Sequence, residues 1–216
     1  MLYTLDYNDE VALNTFDKNS WIDPAWILSA DLRTLQLPEA TNLAIISNGK
    51  LWKYNTSYDI YKCPADPLWP PFGKIKYKRN RSFSIQGRMG GPQATFEACT
   101  PKAVNGRHKV FKKTSDIHNP FPDNAMVFVD ESEYVIDDGY FIVDAFSPNT
   151  WQNYPSSRHN GGGDMSFADG HAEVHRWQGS DTRGFKKTDG FTTATTPEGK
   201  RDLNWVQRKI IFEDIP

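Results

Sequence analysis

The stretch SSRHNGGGDMSFADGHAEVHRW, Ser156 to Trp177, decides how this chain folds. Asp169-Gly170 stands between two runs of alternating apolar and polar residues, and an Asp-Gly pair in that setting is a strong hairpin signal. With a two-residue turn, Ala168 faces His171, Phe167 faces Ala172, Ser166 faces Glu173, Met165 faces Val174 and Asp164 faces His175. Residues directly opposite share a face of the sheet. One face is therefore predicted apolar (Met165, Phe167, Ala172, Val174) and the other polar (Asp164, Ser166, His171, Glu173, His175). That is the pattern of an antiparallel hairpin packed on one side and solvated on the other.

Three of the five histidines fall in this stretch, so metal and catalytic chemistry must be weighed. His171 and His175 lie four residues apart on one strand, roughly 13 Å at about 3.3 Å per residue. Two ligands of one zinc ion lie within about 4 Å of each other, so these two histidines cannot share an ion. Asp164 and His175 can meet, but no third or fourth ligand stands at a suitable spacing, and no metal is expected on this face. His159 precedes Gly161-Gly162-Gly163 and lies outside the regular strand. It reads either as a loop histidine bonded to backbone or as a lock folded over the turn onto Asp169. A metal-dependent hydrolase would need His159, Asp169 and a distant acid, Asp130 or Glu131, to converge. No serine occupies a G-x-S-x-G elbow, and neither cysteine has a histidine partner implied by the sequence.

The totals bound the rest. A chain of 216 residues suffices for one core, and no linker or repeat divides it, so residues 1–216 read as a single domain. Aromatic residues make up 13 %, which offsets a hydrophobic content of only 38 % because each ring buries a large area. A net charge of −2 argues against a dedicated nucleic-acid partner. No run of about 18 apolar residues is present, and the opening MLYTLDYNDEVAL lacks the basic and apolar regions of a signal peptide. Cys63 and Cys99 belong to no CxxC pair; they either form one disulfide or remain buried thiols.

Along the chain, residues 20–35 hold a candidate short helix, and a second runs from Pro38 to Asn48-Gly49, where a glycine stop is expected. RSFSIQGRMGG and AMVFVDES read as strands, and YVIDDGYFIV carries a second Asp-Gly hairpin signal. RDLNWVQRKIIF spaces Leu203, Val206 and Ile210 as one helix face. Helical signals precede antiparallel strands, which gives an α+β class. Lys74, Lys76 and Lys78 alternate as on the outer side of an edge strand, a reading preferred over a phosphate-binding patch with Arg79 and Arg81. Asp130, Glu131, Glu133, Asp137 and Asp138 lack EF-hand spacing and read as a solvated acidic loop.

His159, nine intervening residues and Asp169-Gly170 resemble the H-X9-DG motif near the C-terminus of bacterial prepilin-type proteins, which are similar to type II secretion pseudopilins. YTLDYNDE resembles the end of their long N-terminal helix, YKCPAD their Cys-Pro-Ser-Asp loop with Ala65 in place of serine, and AMVFVDES their buried strand with an acidic end. DLNWVQ resembles a common tail. The resemblance implies a pilin-like fold, an N-terminal helix packed on an antiparallel sheet with long loops and a C-terminal hairpin. It also implies a non-catalytic subunit of a type II secretion or type IV pilus-like filament, with His159, Asp169 and Gly170 as structural residues.

The cleavage site and apolar helix of such proteins are absent, so the chain is expected to be the soluble portion of a longer, membrane-anchored protein. The implied partners are other pilin-like subunits and the secretion machinery, reached through that helix. The implied location is extracytoplasmic, at the inner membrane or in a periplasmic or cell-surface filament. No cofactor is expected, although some pseudopilins hold calcium in a C-terminal loop. The alternative from another class is an exported carbohydrate- or surface-binding module displayed on such a filament, which calls for an exposed aromatic row.

Overall fold

A computed structural model describes residues 2–15, 19–23, 39–67, 76–92, 110–143, 149–187 and 191–210. Its centre is a five-stranded sheet in the order β3-β1-β2-β5-β6. The strands are β1 (Phe83–Gln86), β2 (Met126–Asp130), β3 (Tyr140–Phe141), β5 (Gly162–Phe167) and β6 (Ala172–Arg176). A separate pair joins β4 (Thr150–Trp151) to β7 (Thr192–Thr193). Helices are few among the described residues: α1 (Leu2–Asp6), α2 (Ala44–Ser47), α3 (Ser180–Arg183) and α4 (Pro197–Ile210), with short 3-10 turns between them. The class is α+β with a mostly antiparallel sheet, as the order of sequence signals implied.

Each face of the sheet carries its own core. Met126, Val129, Met165 and Phe167 face Leu203, Val206 and Ile210 of α4. Ile85, with Phe128 partly buried, joins Trp21, Ile22, Ile46 and Tyr61 on the other side. Met126 and Val129 share a face despite their odd spacing because the β2–β5 register shifts between Met126 and Phe128. A bulge of that kind re-aims the side chains beyond it. α4 starts where Thr196 Oγ1 accepts the Gly199 amide at 2.9 Å, with Pro197 in the first turn. Glu198 near its start and Arg208 and Lys209 near its end suit the helix dipole.

The hairpin forms where the sequence placed it, but one residue out of register. Met165 pairs with Glu173 and Asp164 with Val174. The Phe167 amide donates to the His171 carbonyl at 3.0 Å, and Gly170 sits at φ 96°, so the loop holds Ala168, Asp169 and Gly170. Three-residue loops of this type place the last residue in the left-handed region, which glycine accepts without strain. A one-residue slip reverses every side chain of the partner strand. Val174 accordingly lies 55 % exposed, and His175 turns inward and stacks on Trp205 of α4 at 3.6 Å between ring centroids.

Two further expectations change. Asp138-Gly139 does not close a hairpin; it leads into β3, which pairs parallel to β1 through Ile85 opposite Tyr140. Val135 and Ile136, the would-be partner strand, are instead buried in a turn. The second helix is broken into a 3-10 turn at Glu39–Thr41 and α2, ending at Asn48 before Gly49. The candidate helix at residues 20–35, Lys74 of the edge-strand reading and Cys99 fall wholly or largely outside the described residues.

Candidate metal centre

Three loops meet beside the open end of the β5–β6 hairpin. The first is Tyr61–Asp66: the Cys63 amide donates to Ser82 Oγ at 2.6 Å and the Asp66 amide returns to the Cys63 carbonyl at 3.0 Å. That turn, built on Pro64-Ala65, holds the Cys63 side chain inward. The second is the end of β2, where Asp130 is fully buried and accepts the Ser156 hydroxyl at 2.6 Å. The third is Ser157–Gly161. Asn160 at φ 53° and Gly161 at φ 80° turn the chain sharply, with the His159 amide on the Gly162 carbonyl at 3.1 Å. This reversal returns His159 toward Asp164, on β5. Gly163 permits the approach, since a Cβ there would lie 2.7 Å from the Ser156 carbonyl oxygen.

His159 Nε2 lies 2.9 Å from Asp164 Oδ2, 3.2 Å from Cys63 Sγ and 3.6 Å from Asp130 Oδ2. Ligand-type atoms of all four residues lie within 4.8 Å of one another, the one such group among the described residues. Arg158 closes the inner side. Its guanidinium bonds Asp130, Glu133 at 2.8 Å and the Glu131 carbonyl at 3.0 Å, and stands 3.6 Å from Asp66. Asp66 in turn pairs with buried Arg79 at 2.6 Å. Burial raises the Asp130 carboxyl to about 6, although Arg158 and the Ser156 hydroxyl hold it down. Burial and then the neighbouring Asp130 charge raise the Cys63 thiol above its ordinary value.

The arrangement differs from a nucleophile–base–acid relay. A Cys-His-acid relay uses both imidazole nitrogens, one toward the thiol and one toward the acid. Here the thiol and both carboxylates gather at the single atom Nε2. A reactive cysteine also needs a lowered pKa, whereas Cys63 is raised. Four ligand-type atoms grouped within 4.8 Å of one another are instead what a metal-ligand set requires.

The residues singled out in the sequence divide. His159 and Asp130 belong to the cluster, but Asp169 and Glu131 do not. The His159–Asp169 lock is replaced by His159–Asp164, because Asp169 lies at the far end of β5. There Asp169 accepts the His171 amide at 3.1 Å and meets its ring at 2.6 Å, contacts that lower its pKa. Gly170 supplies the turn conformation.

The acidic loop is only partly solvated: Asp130 and Glu131 are buried, while Glu133, Asp137 and Asp138 are half-buried. Glu131 is fully buried and takes the Ser84 hydroxyl at 2.5 Å and the Asn153 amide at 2.9 Å. Burial, then the Asp137 charge, raises its pKa well above the ordinary range. Arg79 and Arg81, named in the phosphate-binding alternative, are buried, with Arg81 held by the Asp137 carbonyl and Ser84 Oγ. Of the two alternatives for the cysteines, Cys63 is a free, buried thiol, and Cys99 lies outside the described residues. Sequence reasoning missed Cys63, Asp164 and Arg158 as members of one site. The available signal was the His159-to-Asp164 spacing, five residues across a glycine turn. No family model, no curated protein and no solved structure matches the chain.

Proposed function

We propose that this chain is the globular head of a prepilin-type, pseudopilin-like filament subunit, and that its hairpin motif is architectural. The observation that carries this reading is where the segments of the resemblance meet. Cys63 and Asp66 come from the Cys-Pro-Ala-Asp loop, Asp130 from the end of the buried strand, and Arg158, His159 and Asp164 from the H-X9-DG segment. Motif residues that bond one another across loops far apart in sequence serve to fix a fold. Leu2 and Tyr3 of α1 line an apolar pocket together with Phe83 of β1 and Phe128 of β2. α1 is one largely exposed turn, with Leu2 64 % and Leu5 73 % exposed, whereas the pilin-like reading calls for a longer helix packed against the sheet.

No helix among the described residues is long and apolar enough to cross a membrane. In filament subunits of this kind, assembly and anchoring run through an apolar N-terminal helix, and α1 is the element that would continue it. The partners are then like subunits and the secretion machinery, outside the cytoplasm. The test is mass spectrometry of the N-terminus of the native protein from membrane extracts. An N-methylated first residue followed by about twenty apolar residues is the expected result. An ordinary cleaved signal peptide, or a native start at Met1, would overturn the filament reading.

A further inference from the structure

We propose that Cys63, Asp130, His159 and Asp164 bind one divalent transition-metal ion of the zinc class, stapling three loops of the fold. The inference does not depend on the filament reading. A thiolate, an imidazole and two carboxylates make a mixed donor set suited to zinc, whereas calcium and magnesium take oxygen ligands. Bonds of about 2.0–2.3 Å in a tetrahedron place ligand atoms roughly 3.3–3.7 Å apart. The observed separations from His159 Nε2 are 2.9, 3.2 and 3.6 Å. All four ligand atoms lie within 4.8 Å of one another, so side-chain shifts of about an ångström bring them to the edges of such a tetrahedron.

Charge favours the same occupant. A thiolate and two carboxylates carry −3, which a dication offsets in large part, and the Arg158 guanidinium, shared between Asp130 and Glu133, offsets more. Arg158 and Ser156 also fix the orientation of Asp130, the role that outer hydrogen-bonding partners play around metal ligands. The four ligands come from the 63, 130, 159 and 164 positions, so an ion ties the 159–164 turn to two segments far from it in sequence. Four protein ligands leave no open coordination position, which makes this a structural rather than a catalytic site.

The test is titration of the reduced, untagged and chelator-treated full chain with cobalt(II), followed by displacement with zinc. One equivalent of cobalt is expected per chain, with a thiolate-to-metal charge-transfer band and the strong visible bands of four-coordinate cobalt. Cys63→Ser is expected to abolish the charge-transfer band, while Cys99→Ser keeps it. His159→Gln and Asp164→Asn are each expected to weaken zinc binding about tenfold or more, while His171→Gln at the hairpin tip leaves it unchanged. Zinc at a hundredfold excess over its Kd is expected to raise the thermal midpoint by about 5–10 °C. The proposal is overturned by any of three results: no saturable one-equivalent binding to the unsubstituted chain, a cobalt spectrum without a thiolate band, or a band that survives Cys63→Ser. Should a substituted chain not fold, the cobalt spectra of the unsubstituted and Cys99→Ser chains decide.

Discussion

Replacing Arg158 with alanine removes the cation that holds the centre of the molecule together. Its side chain is 6 % exposed and Asp130 is 0 % exposed, so the pair is dry. Removing one member of a buried ion pair costs about 3–5 kcal/mol, because the remaining charge has neither water nor a partner. Asp66 keeps Arg79 at 2.6 Å and Glu133 reaches solvent, so Asp130 is the one fully buried carboxylate left without a cation; it keeps the Ser156 hydroxyl at 2.6 Å, and the loss falls toward the lower part of that range.

For a chain of this size, about 3–4 kcal/mol lowers the melting midpoint by roughly 6–16 °C. Asp130→Asn costs less, about 1–3 kcal/mol, because Arg158 keeps Glu133 at 2.8 Å and the Glu131 carbonyl at 3.0 Å. The double variant is expected to fall short of the sum of the two by about 1–3 kcal/mol. Urea denaturation followed by tryptophan fluorescence, with chelator and reductant present, measures all four corners of the cycle at matched m-values. An Arg158→Ala cost below about 1 kcal/mol, or additivity within about 0.5 kcal/mol, would refute the reasoning.

The observed hairpin register makes Val174→Lys nearly neutral, within about 0.5 kcal/mol, because Val174 is 55 % exposed. The register of a two-residue turn would bury that side chain against Met165, and a urea midpoint lowered by 2 kcal/mol or more would restore it. His175 has its pKa lowered by burial against Trp205, partly offset by Asp202 and Glu173 and reinforced by Lys209. The folded chain therefore binds fewer protons at this site than the unfolded chain. Its contribution is complete above the unfolded value of about 6.5 and is lost as pH falls below it. Stability measured from pH 7.5 to 5 should fall less steeply in His175→Gln than in the parent, and parallel slopes would remove His175 as the cause.

Much of the local architecture was legible in the residues because it depends on near neighbours. The 3.6-residue spacing of Leu203, Val206 and Ile210 made α4, with Thr196 and Pro197 at its start. Apolar runs made β1 and β2, and the order of helix and strand signals gave the α+β class. Asp169-Gly170 located the hairpin turn but not its register. The choice between a two- and a three-residue loop depends on the φ of Gly170 and on which strand face meets α4, and both are set by packing across the sheet.

What only the tertiary structure decided is what lies far apart in sequence. Arg79, Arg81 and Glu131 look like surface residues in a sequence because charges are expensive to bury. They are buried here because partners 13 to 56 residues away satisfy them. The same reason hid the metal-type cluster. A spacing rule sees only ligands on one strand or turn, and it offered His159 with Asp164, a signal the pairing with Asp169 passed over. Cys63 and Asp130 reach that pair only because β1, β2 and β5 lie side by side, and strand order follows from how two apolar faces are covered at once. Near-neighbour patterns set most of the elements; the order in which the strands pair set which polar groups meet, since a buried charge is stable only where the fold brings its partner.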